Sequence, residues 1–418
     1  MRLTSLKSKL YAIVFCSFVV RVIAFFLLPN SASNLAPDEG QYAYLVDWVS
    51  KSKPVSEYPL FGPGLYYSAR SIILPSTLFY HLGFGSLDSI RIVASIYGLL
   101  TTILISLIVI KVNTVRVNTK EFFNKNQLLV CLFILAFAFI PSHFAWSMLG
   151  LRESSAEFWT ILTFTIVFYL ISLDLKLSLK TATIFLVAII MVYSSRPQVG
   201  LVLSTVLLLY FVFLIKNRKA RLLIPVTLIA LLLGAALSST PSTPSTPIQI
   251  NPISNMINQA ENLFYHHQAN QVDAESVINT INCPFVPDFS DSSPMCLIWR
   301  APYTSTAFLL RPLIGSDVTS SSSLLAAVEN IFWLAAFLFI FIMFIRNRRL
   351  AFFSALAPSV LFMILYSLAA GAYEGNMGTA FRHKSLILWV VILLLASTLV
   401  ATQQRKAELT GISSPSQE

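Results

Sequence analysis

Two adjacent carboxylates follow the first long apolar stretch of the chain, in the segment Ala36-Pro37-Asp38-Glu39-Gly40. A carboxylate at a membrane boundary can act as a general base, because it can take the proton from a hydroxyl group as that group attacks a substrate. We therefore predict Asp38 and Glu39 as catalytic residues. The alternative is a solvated turn whose acidic side chains cap a short helix that begins near Gly40, since carboxylates stabilise helix N-termini.

Basic side chains recur in several short segments that are predicted to lie at the same membrane face. The planar fork of arginine and the point charge of lysine both donate hydrogen bonds to phosphate oxygens. Two alternatives remain open: a cation that snorkels to the interface, for Arg91, and contact with anionic lipid headgroups, for the turn Arg382-His383-Lys384. We predict a donor-phosphate site that comprises Arg91, Arg152, Arg196, Arg382, His383 and Lys384.

Carboxylates and cations on an outer membrane face suit a substrate that is already activated and tethered to lipid, because ATP and nucleotide sugars are absent there. A polyprenyl-phosphate sugar has these properties. A carboxylate would take the proton of the acceptor hydroxyl as it attacks the anomeric carbon, and arginines would stabilise the departing phosphate. Phosphate is a good leaving group, so a protonating acid is less necessary than in glycoside hydrolysis.

The Asp38-Glu39 pair, the tyrosines Tyr42 and Tyr44, and the segment from Arg91 to Gly98 resemble the integral-membrane GT-C glycosyltransferases. The likeness is greatest to the bacterial branch of protein mannosyltransferase-like and lipid A aminoarabinose transferase-like enzymes, and its motifs cover about the first 110 residues. The resemblance implies a many-helix membrane fold in which Asp38 or Glu39 is the base or orients the acceptor.

Tyr42, Tyr44 and Glu153 are the residues that we expect to contact the acceptor or the sugar. Some members of the resembled family use a divalent ion, and the carboxylates of Asp38 or Glu39 could supply oxygen ligands to one. The five histidines of the chain do not have the spacing of a zinc site. We predict no tightly bound metal, and a divalent cation remains possible.

The elements that must position these residues are membrane helices. The chain has 418 residues, of which 56% are hydrophobic and only 11% charged, whereas a soluble domain carries roughly 25% charged residues. Apolar runs of about 20 residues can cross a membrane. They predict an all-α polytopic membrane protein with about ten transmembrane helices, near residues 9–29, 91–110, 127–147, 155–173, 181–195, 199–215, 222–239, 324–345, 350–371 and 385–402. The resemblance described above implies that their arrangement is GT-C-like.

Two long extracytoplasmic loops interrupt these helices. The predicted organisation is an N-terminal membrane module over 1–239, whose first exterior loop spans 30–90, then an extracytoplasmic loop over 240–323, membrane helices over 324–402 and a cytoplasmic tail over 403–418. The second loop begins with a Pro/Ser/Thr spacer and is compatible with amphipathic helices over 251–282. It also contains Cys283 and Cys296, for which a disulfide and free thiols are both open.

The net charge of +10 is a topology signal. In the ten-helix arrangement, 18 of the 29 lysines and arginines lie on the side of the N-terminus, on short connections. The positive-inside rule then assigns both termini to the cytoplasm and the candidate site to the outside of a bacterial inner membrane. We accordingly predict membrane lipids, a polyprenyl-phosphate sugar and a glycan, lipid or protein acceptor as partners, and no nucleic acid.

Two other functions remain open. A polysaccharide polymerase or ligase would use lipid-diphosphate-linked oligosaccharides, and exterior arginines such as Arg152, Arg196, Arg311 and Arg382 suit that chemistry. A transporter or flippase for lipid-linked sugars would show inverted repeats and interrupted helices, and the halves of this chain do not look alike. No phosphate-loop, dinucleotide or nucleophile-elbow motif occurs in the sequence.

Overall fold

The computed structural model describes residues 4–31, 36, 38–59, 62–114, 120–172, 178–214, 221–238, 294–315, 317–318, 321–346, 353–374 and 377–409. These residues form an all-helical protein without β-strands. The question whether Cys283 and Cys296 form a disulfide, the Pro/Ser/Thr spacer and the helices expected within 251–282 lie outside the described residues.

Fifteen α-helices are numbered here in chain order within the described residues. The first half contains α1 Thr4–Leu27, α2 Asp38–Ser50, α3 Gly62–Tyr67, α4 Arg70–His81, α5 Ser86–Thr114, α6 Lys120–Phe139, α7 Pro141–Met148 and α8 Arg152–Ser172. The second half contains α9 Leu179–Ser195, α10 Pro197–Leu209, α11 Leu223–Ser238, α12 Pro294–Leu310, α13 Ser321–Arg346, α14 Phe353–Tyr373 and α15 Met377–Leu409. A 3-10 turn spans Val55–Glu57 and a π-helical turn spans Tyr210–Leu214.

Five of these helices are long and apolar enough to cross a membrane, and a sixth span results if the bent pair α6 and α7 counts as one. The five contain Ser8–Leu27, Ser86–Val112, Arg152–Ser172, Ser323–Met343 and Gly378–Leu399. The shorter apolar helices Leu179–Ser195, Pro197–Phe213, Leu223–Gly234 and Leu356–Gly371 coincide with four other predicted spans. The chain is therefore a multi-pass membrane protein, while the predicted number of ten spans is not confirmed.

Two predicted boundaries differ from the observed helices in ways that matter for the site. The span expected over 127–147 is broken: Ile140 is extended, Pro141 begins α7, and the two helices meet at 43°. Proline stands readily at the first position of a helix but prevents the preceding residue from continuing one. The last helix begins at Met377 instead of near residue 385, so the segment expected as a turn is helical.

The last helix, α15, is the centre of the bundle. Its stretch Leu386–Ala396 is buried on all sides, and Trp389 contacts Phe164 of α8 with ring centroids 5.5 Å apart. A helix that is apolar all round must be kept from water, either by lipid or by other helices. Here α5, α6, α8 and α14 pack against it, so the position of every residue near its N-terminus is set by the core.

A second apolar cluster holds the helices of the segment between α1 and α5 onto the bundle. Tyr42 and Val46 of α2 and Ile72 of α4 pack there with Ile90 of α5 and Leu151 beside α8. The Ser155 hydroxyl of α8 also donates to Ser71 of α4 at 2.7 Å. Because these contacts surround the start of α2, they fix the direction in which its first residues point.

Polar contacts also occur deep inside the bundle. His143 Nδ1 and Glu157 Oε2 are 2.9 Å apart, and the Ser142 amide donates to Glu329 Oε2 at 2.9 Å. The Arg21 guanidinium of α1 is buried and contacts Ser17 and Ser147. Charged groups inside a membrane bundle are costly unless they are paired, so these contacts tie α1, α7, α8 and α13 together.

Candidate functional site

Charged residues from four parts of the chain form a single group at one end of the bundle. They come from the first turns of α2 and α8, from the residue before α10 and from the second turn of α15. We call this group the charged cluster: it comprises Asp38 of α2, Glu153 of α8, Arg196 before α10, and Arg382 and His383 of α15. The backbone N–H groups in the first turn of a helix have no partner within the helix, and they carry partial positive charge. The convergence of such ends favours the binding of an anion.

Asp38 is the most accessible carboxylate of the cluster. Its Oδ2 accepts a hydrogen bond from Arg382 Nη1 at 2.8 Å, and 35% of the Asp38 side chain is exposed, against 15% for Arg382. The residue is the first of α2, where a carboxylate is stabilised by the helix N-terminus. Asp38 is thus oriented by Arg382 and accessible to a substrate.

Glu153 lies beneath Asp38 and is buried. Its Oε1 accepts from Arg196 Nη2, lies 3.4 Å from Arg382 Nε and lies 3.6 Å from His383 Nε2. Arg382 therefore bridges the accessible carboxylate and the buried one. Glu153 Oε2 has no hydrogen-bond partner among the described residues, although a buried carboxylate oxygen normally has one.

Backbone conformation places Arg196 in the cluster. Pro197 follows it as the first residue of α10, and Arg196 is extended, with φ −153° and ψ 98°. The ring of a proline disfavours the helical conformation for the residue before it. The chain therefore turns at Arg196 between α9 and α10, and its side chain reaches Glu153.

Arg152 and Tyr42 extend the cluster on the side of α4. The Arg152 guanidinium donates from Nη1 to the Ser68 hydroxyl at 2.7 Å and to the Ser68 carbonyl at 3.1 Å. It also lies over the Tyr42 ring, 6.0 Å from the centroid. Burial raises the pKa of the Tyr42 phenol, so Tyr42 can donate a hydrogen bond and remains uncharged at neutral pH.

His383 is held by a carboxylate that the sequence argument did not select. Glu374 lies just before α15, its Oε1 contacts His383 Nδ1, and both residues are buried. His383 Nε2 is buried and has no hydrogen-bond partner within the described part of the chain. No spacing rule connects Glu374 with His383, nine residues later, so only the tertiary structure could show the pair.

Glu39 and Arg91 form a separate, buried ion pair. Arg91 Nε and Nη2 donate to the two Glu39 oxygens at 2.7 and 3.0 Å. Arg91 also donates to the carbonyls of Pro29 and Ser31 at 2.7 and 3.0 Å. The Arg91 guanidinium thus joins the segment after α1 to α2 and α5. Arg91 was predicted to bind the donor phosphate, whereas in the structure it pairs with Glu39.

Two further predicted residues lie away from the cluster. Lys384 Nζ is buried and donates to the Arg311 carbonyl at 2.7 Å and to Asn330 Oδ1 at 2.9 Å. Tyr44 is 40% exposed and packs beside Trp48 and Tyr58. The structure therefore brings together Asp38, Tyr42, Arg152, Glu153, Arg196, Arg382 and His383 and separates Glu39, Tyr44, Arg91 and Lys384 from them.

Among the side chains that the structure describes, no group of three or more His, Cys, Asp or Glu residues has the arrangement of a metal site. The residues of the charged cluster pair carboxylates with arginines, which donate hydrogen bonds and cannot ligate a cation.

Comparison with known proteins does not assign the chain to a family. No protein-family model matches the sequence, and no curated protein or solved structure matches it either.

Proposed function

We propose that this protein is a membrane glycosyltransferase of the GT-C type, which transfers a sugar from a polyprenyl-phosphate donor to a glycan, lipid or protein acceptor. The observation that carries the proposal is the charged cluster: an accessible carboxylate, Asp38, bonded to Arg382, which also contacts the buried Glu153. This arrangement provides a base beside several side chains that can donate hydrogen bonds to a phosphate, at the end of a membrane helix bundle.

In the proposed reaction, the acceptor oxygen forms a bond to the anomeric carbon as the bond from that carbon to the phosphate oxygen breaks. The acceptor proton passes to Asp38, and the electron pair of the broken bond leaves with the polyprenyl phosphate. Arg152, Arg196 and Arg382 stabilise the charge on that phosphate, because preorganised donors act most strongly where charge develops. Glu153 holds Arg196 and Arg382 in place.

Asp38 is proposed as the base in preference to Glu39. The Glu39 carboxylate is buried and receives two hydrogen bonds from Arg91, so it has no path to an acceptor. Asp38 is partly exposed and forms an ion pair with Arg382. Tyr42 is proposed to line the same site beneath Arg152, while Lys384 and Tyr44 have no role in the proposed reaction.

The location is part of the proposal. We propose that the charged cluster lies on the extracytoplasmic side of a bacterial inner membrane, with both termini in the cytoplasm, and the distribution of lysine and arginine along the sequence supports this orientation. On that side no nucleotide sugar is available, which supports a lipid-linked donor.

The test is sugar transfer by membranes that contain wild-type protein or the Asp38→Asn variant. Radiolabelled polyprenyl-phosphate sugars would be supplied as donors and host glycan extracts as acceptors. We expect single additions with wild type and a loss of at least about 100-fold with Asp38→Asn, since a positioned base contributes 10²–10⁴ to a rate. Asp47→Asn is the matched control: Asp47 lies on the same helix, bonded to Lys51 and Tyr80 away from the cluster.

The outcomes separate the competing functions. Full activity of Asp38→Asn would contradict the assignment of the base. Long products formed only from diphosphate-linked oligosaccharides would instead establish a polymerase or ligase.

A lipid-linked sugar transporter is the second candidate, and one observation favours it. The helix pair α6 and α7 is bent by 43°, and the N-terminus of α7 is held by the buried Glu329. Transporters commonly place broken helices and buried charges at their binding sites. Label that changes leaflet without any transfer would support this candidate and contradict the transferase.

A further inference from the structure

The strongest feature that the proposed reaction leaves unused is the pair formed by Glu374 and His383. Both side chains are buried, and the Glu374 carboxylate contacts His383 Nδ1. An ionised carboxylate can only accept hydrogen bonds, so the proton of this contact belongs to Nδ1. Such a carboxylate partner fixes both the tautomer of a histidine and the orientation of its ring.

The orientation of the ring directs its second nitrogen into the charged cluster. His383 Nε2 is buried and lies 3.6 Å from Glu153 Oε1, beyond hydrogen-bond distance, and it has no hydrogen-bond partner among the residues that the structure describes. Buried polar atoms are almost always hydrogen-bonded, and one that is not calls for an explanation. A bound ligand that accepts a hydrogen bond from Nε2 would explain why this nitrogen has no partner among the described residues.

The charges around this nitrogen indicate what kind of ligand fits. Three arginines, Arg152, Arg196 and Arg382, face three carboxylates, Asp38, Glu153 and Glu374, so their formal charges cancel. The phosphate of the lipid-linked donor is a diester and would add one negative charge, and the polyprenyl phosphate that leaves is a monoester with one or two. A proton on His383 Nε2 would compensate one of them, and the imidazolium would then donate from Nδ1 to Glu374 and from Nε2 to phosphate.

We propose that Glu374 is a positioning residue that holds His383 so that Nε2–H donates to the phosphate of the donor lipid. His383 takes up one proton from solvent as the phosphate binds and keeps it during transfer, while the acceptor proton passes to Asp38. The inference rests on the proposed function for the source of the phosphate. The binding event and the proton uptake are nevertheless expected whether or not a sugar is transferred.

The test is nitrogen NMR of protein with ¹⁵N-labelled histidine in nanodiscs of neutral lipid, titrated with farnesyl phosphate at constant pH. The His383 resonances are assigned with His383→Asn. In the wild type we expect the ligand-free ring to carry its proton on Nδ1 and the bound ring to be protonated on both nitrogens. The exposed His81 at the end of α4 should not respond, and it serves as the internal control.

Substitutions at Glu374 test the positioning role. Glu374→Gln keeps the size of the side chain but removes the charge, and we expect farnesyl phosphate to bind at least about tenfold more weakly, without protonation of His383. Glu374→Asp should recover part of both effects. Thermal unfolding of each variant in detergent shows whether it is folded, and an unchanged His383 response in folded Glu374→Gln would overturn the proposal.

Two further arms identify the source of the phosphate. Inorganic phosphate should produce the same His383 response at higher concentration, and nanodiscs with anionic lipid but no farnesyl phosphate should produce none. A full response to anionic lipid alone would assign the site to headgroups and overturn the proposal. Binding of farnesyl phosphate that leaves His383 unchanged would overturn it as well.

The experiments distinguish a failure of the phosphate site from a failure of the proposed glycosyltransferase function. If farnesyl phosphate protonates His383 but membranes transfer no sugar, the phosphate site stands and the transferase does not. If transfer proceeds equally in wild type, Glu374→Gln and His383→Asn, the transferase stands and the role of the pair does not.

Discussion

At the scale of single residues, helix geometry separates side chains that are adjacent in sequence. Successive residues of an α-helix point about 100° apart. Asp38 and Glu39 are the first two residues of α2, and they reach Arg382 and Arg91 respectively. The same rule separates Arg382 from Lys384, which bonds to Asn330 on another side of α15. Two carboxylates that look equivalent in the sequence therefore have different surroundings.

The difference between Asp38 and Glu39 leads to a stability prediction. Glu39→Gln would leave the Arg91 charge buried without its ionic partner, and breaking such a pair costs about 3–5 kcal/mol. Asp38→Asn affects a pair that is partly exposed, and we expect a change below about 1 kcal/mol. The measurement is thermal unfolding of both variants in detergent. Equal melting temperatures for the two variants would contradict this account of the buried pair.

At the scale of elements, the site depends on how closely helices approach one another. Gly371 of α14 lies against the backbone of α12: a Cβ atom added there would be 2.5 Å from the Ser305 nitrogen. Small residues permit such approaches between membrane helices. Glu374 follows three residues later, and its backbone amide donates a hydrogen bond to the Ala370 carbonyl. The spacing of α12 and α14 therefore sets the position of Glu374.

Gly371→Ala is expected to push α12 and α14 apart. Because the atoms in the way belong to the backbone, they cannot rotate aside as a side chain would, and we expect a loss of about 1–3 kcal/mol in stability. Ile364→Ala on the exposed face of α14 is the control. Unfolding in detergent measures both changes, and a Gly371→Ala protein as stable as the wild type would show that the two helices are not held this closely.

The connection between α7 and α8 also depends on a glycine. Gly150 has φ +60°, a left-handed conformation that L-residues with a Cβ rarely adopt. An added Cβ atom would also be 2.8 Å from Ile90 Cγ2 and 3.3 Å from Glu39 Oε1. This glycine thus allows α8 to begin beside the Glu39–Arg91 pair, with Glu153 in its first turn.

At the scale of the whole molecule, the charged cluster lies at one end of a multi-pass bundle. Residues from α2, α8, α10 and α15 meet there, although Asp38 and Arg382 are 344 positions apart in the chain. Helices of unequal length surround the buried α15, and four of the apolar helices are shorter than the about 20 residues that cross a membrane. The side of the membrane that the cluster faces therefore depends on how many of these helices cross the membrane.

The topology prediction is testable with single cysteines. We expect Lys51→Cys, after α2, to react with an impermeant maleimide in intact cells, and Lys180→Cys, at the start of α9, to react only after permeabilisation. Both positions are exposed, and the background protein would have its four native cysteines replaced. Labelling of both positions from the same side would contradict the predicted arrangement and the extracytoplasmic site.

The sequence alone determined that this is a helical membrane protein, because apolar runs of sufficient length must avoid water and must satisfy their own backbone hydrogen bonds. It also indicated Asp38, Arg152, Glu153, Arg196, Arg382 and His383, since charges beside apolar runs are conspicuous. Only the tertiary structure decided which of the selected residues meet. The rotation of each helix depends on core packing around α15, so Arg91 pairs with Glu39, Lys384 faces Asn330, and Glu374 joins His383.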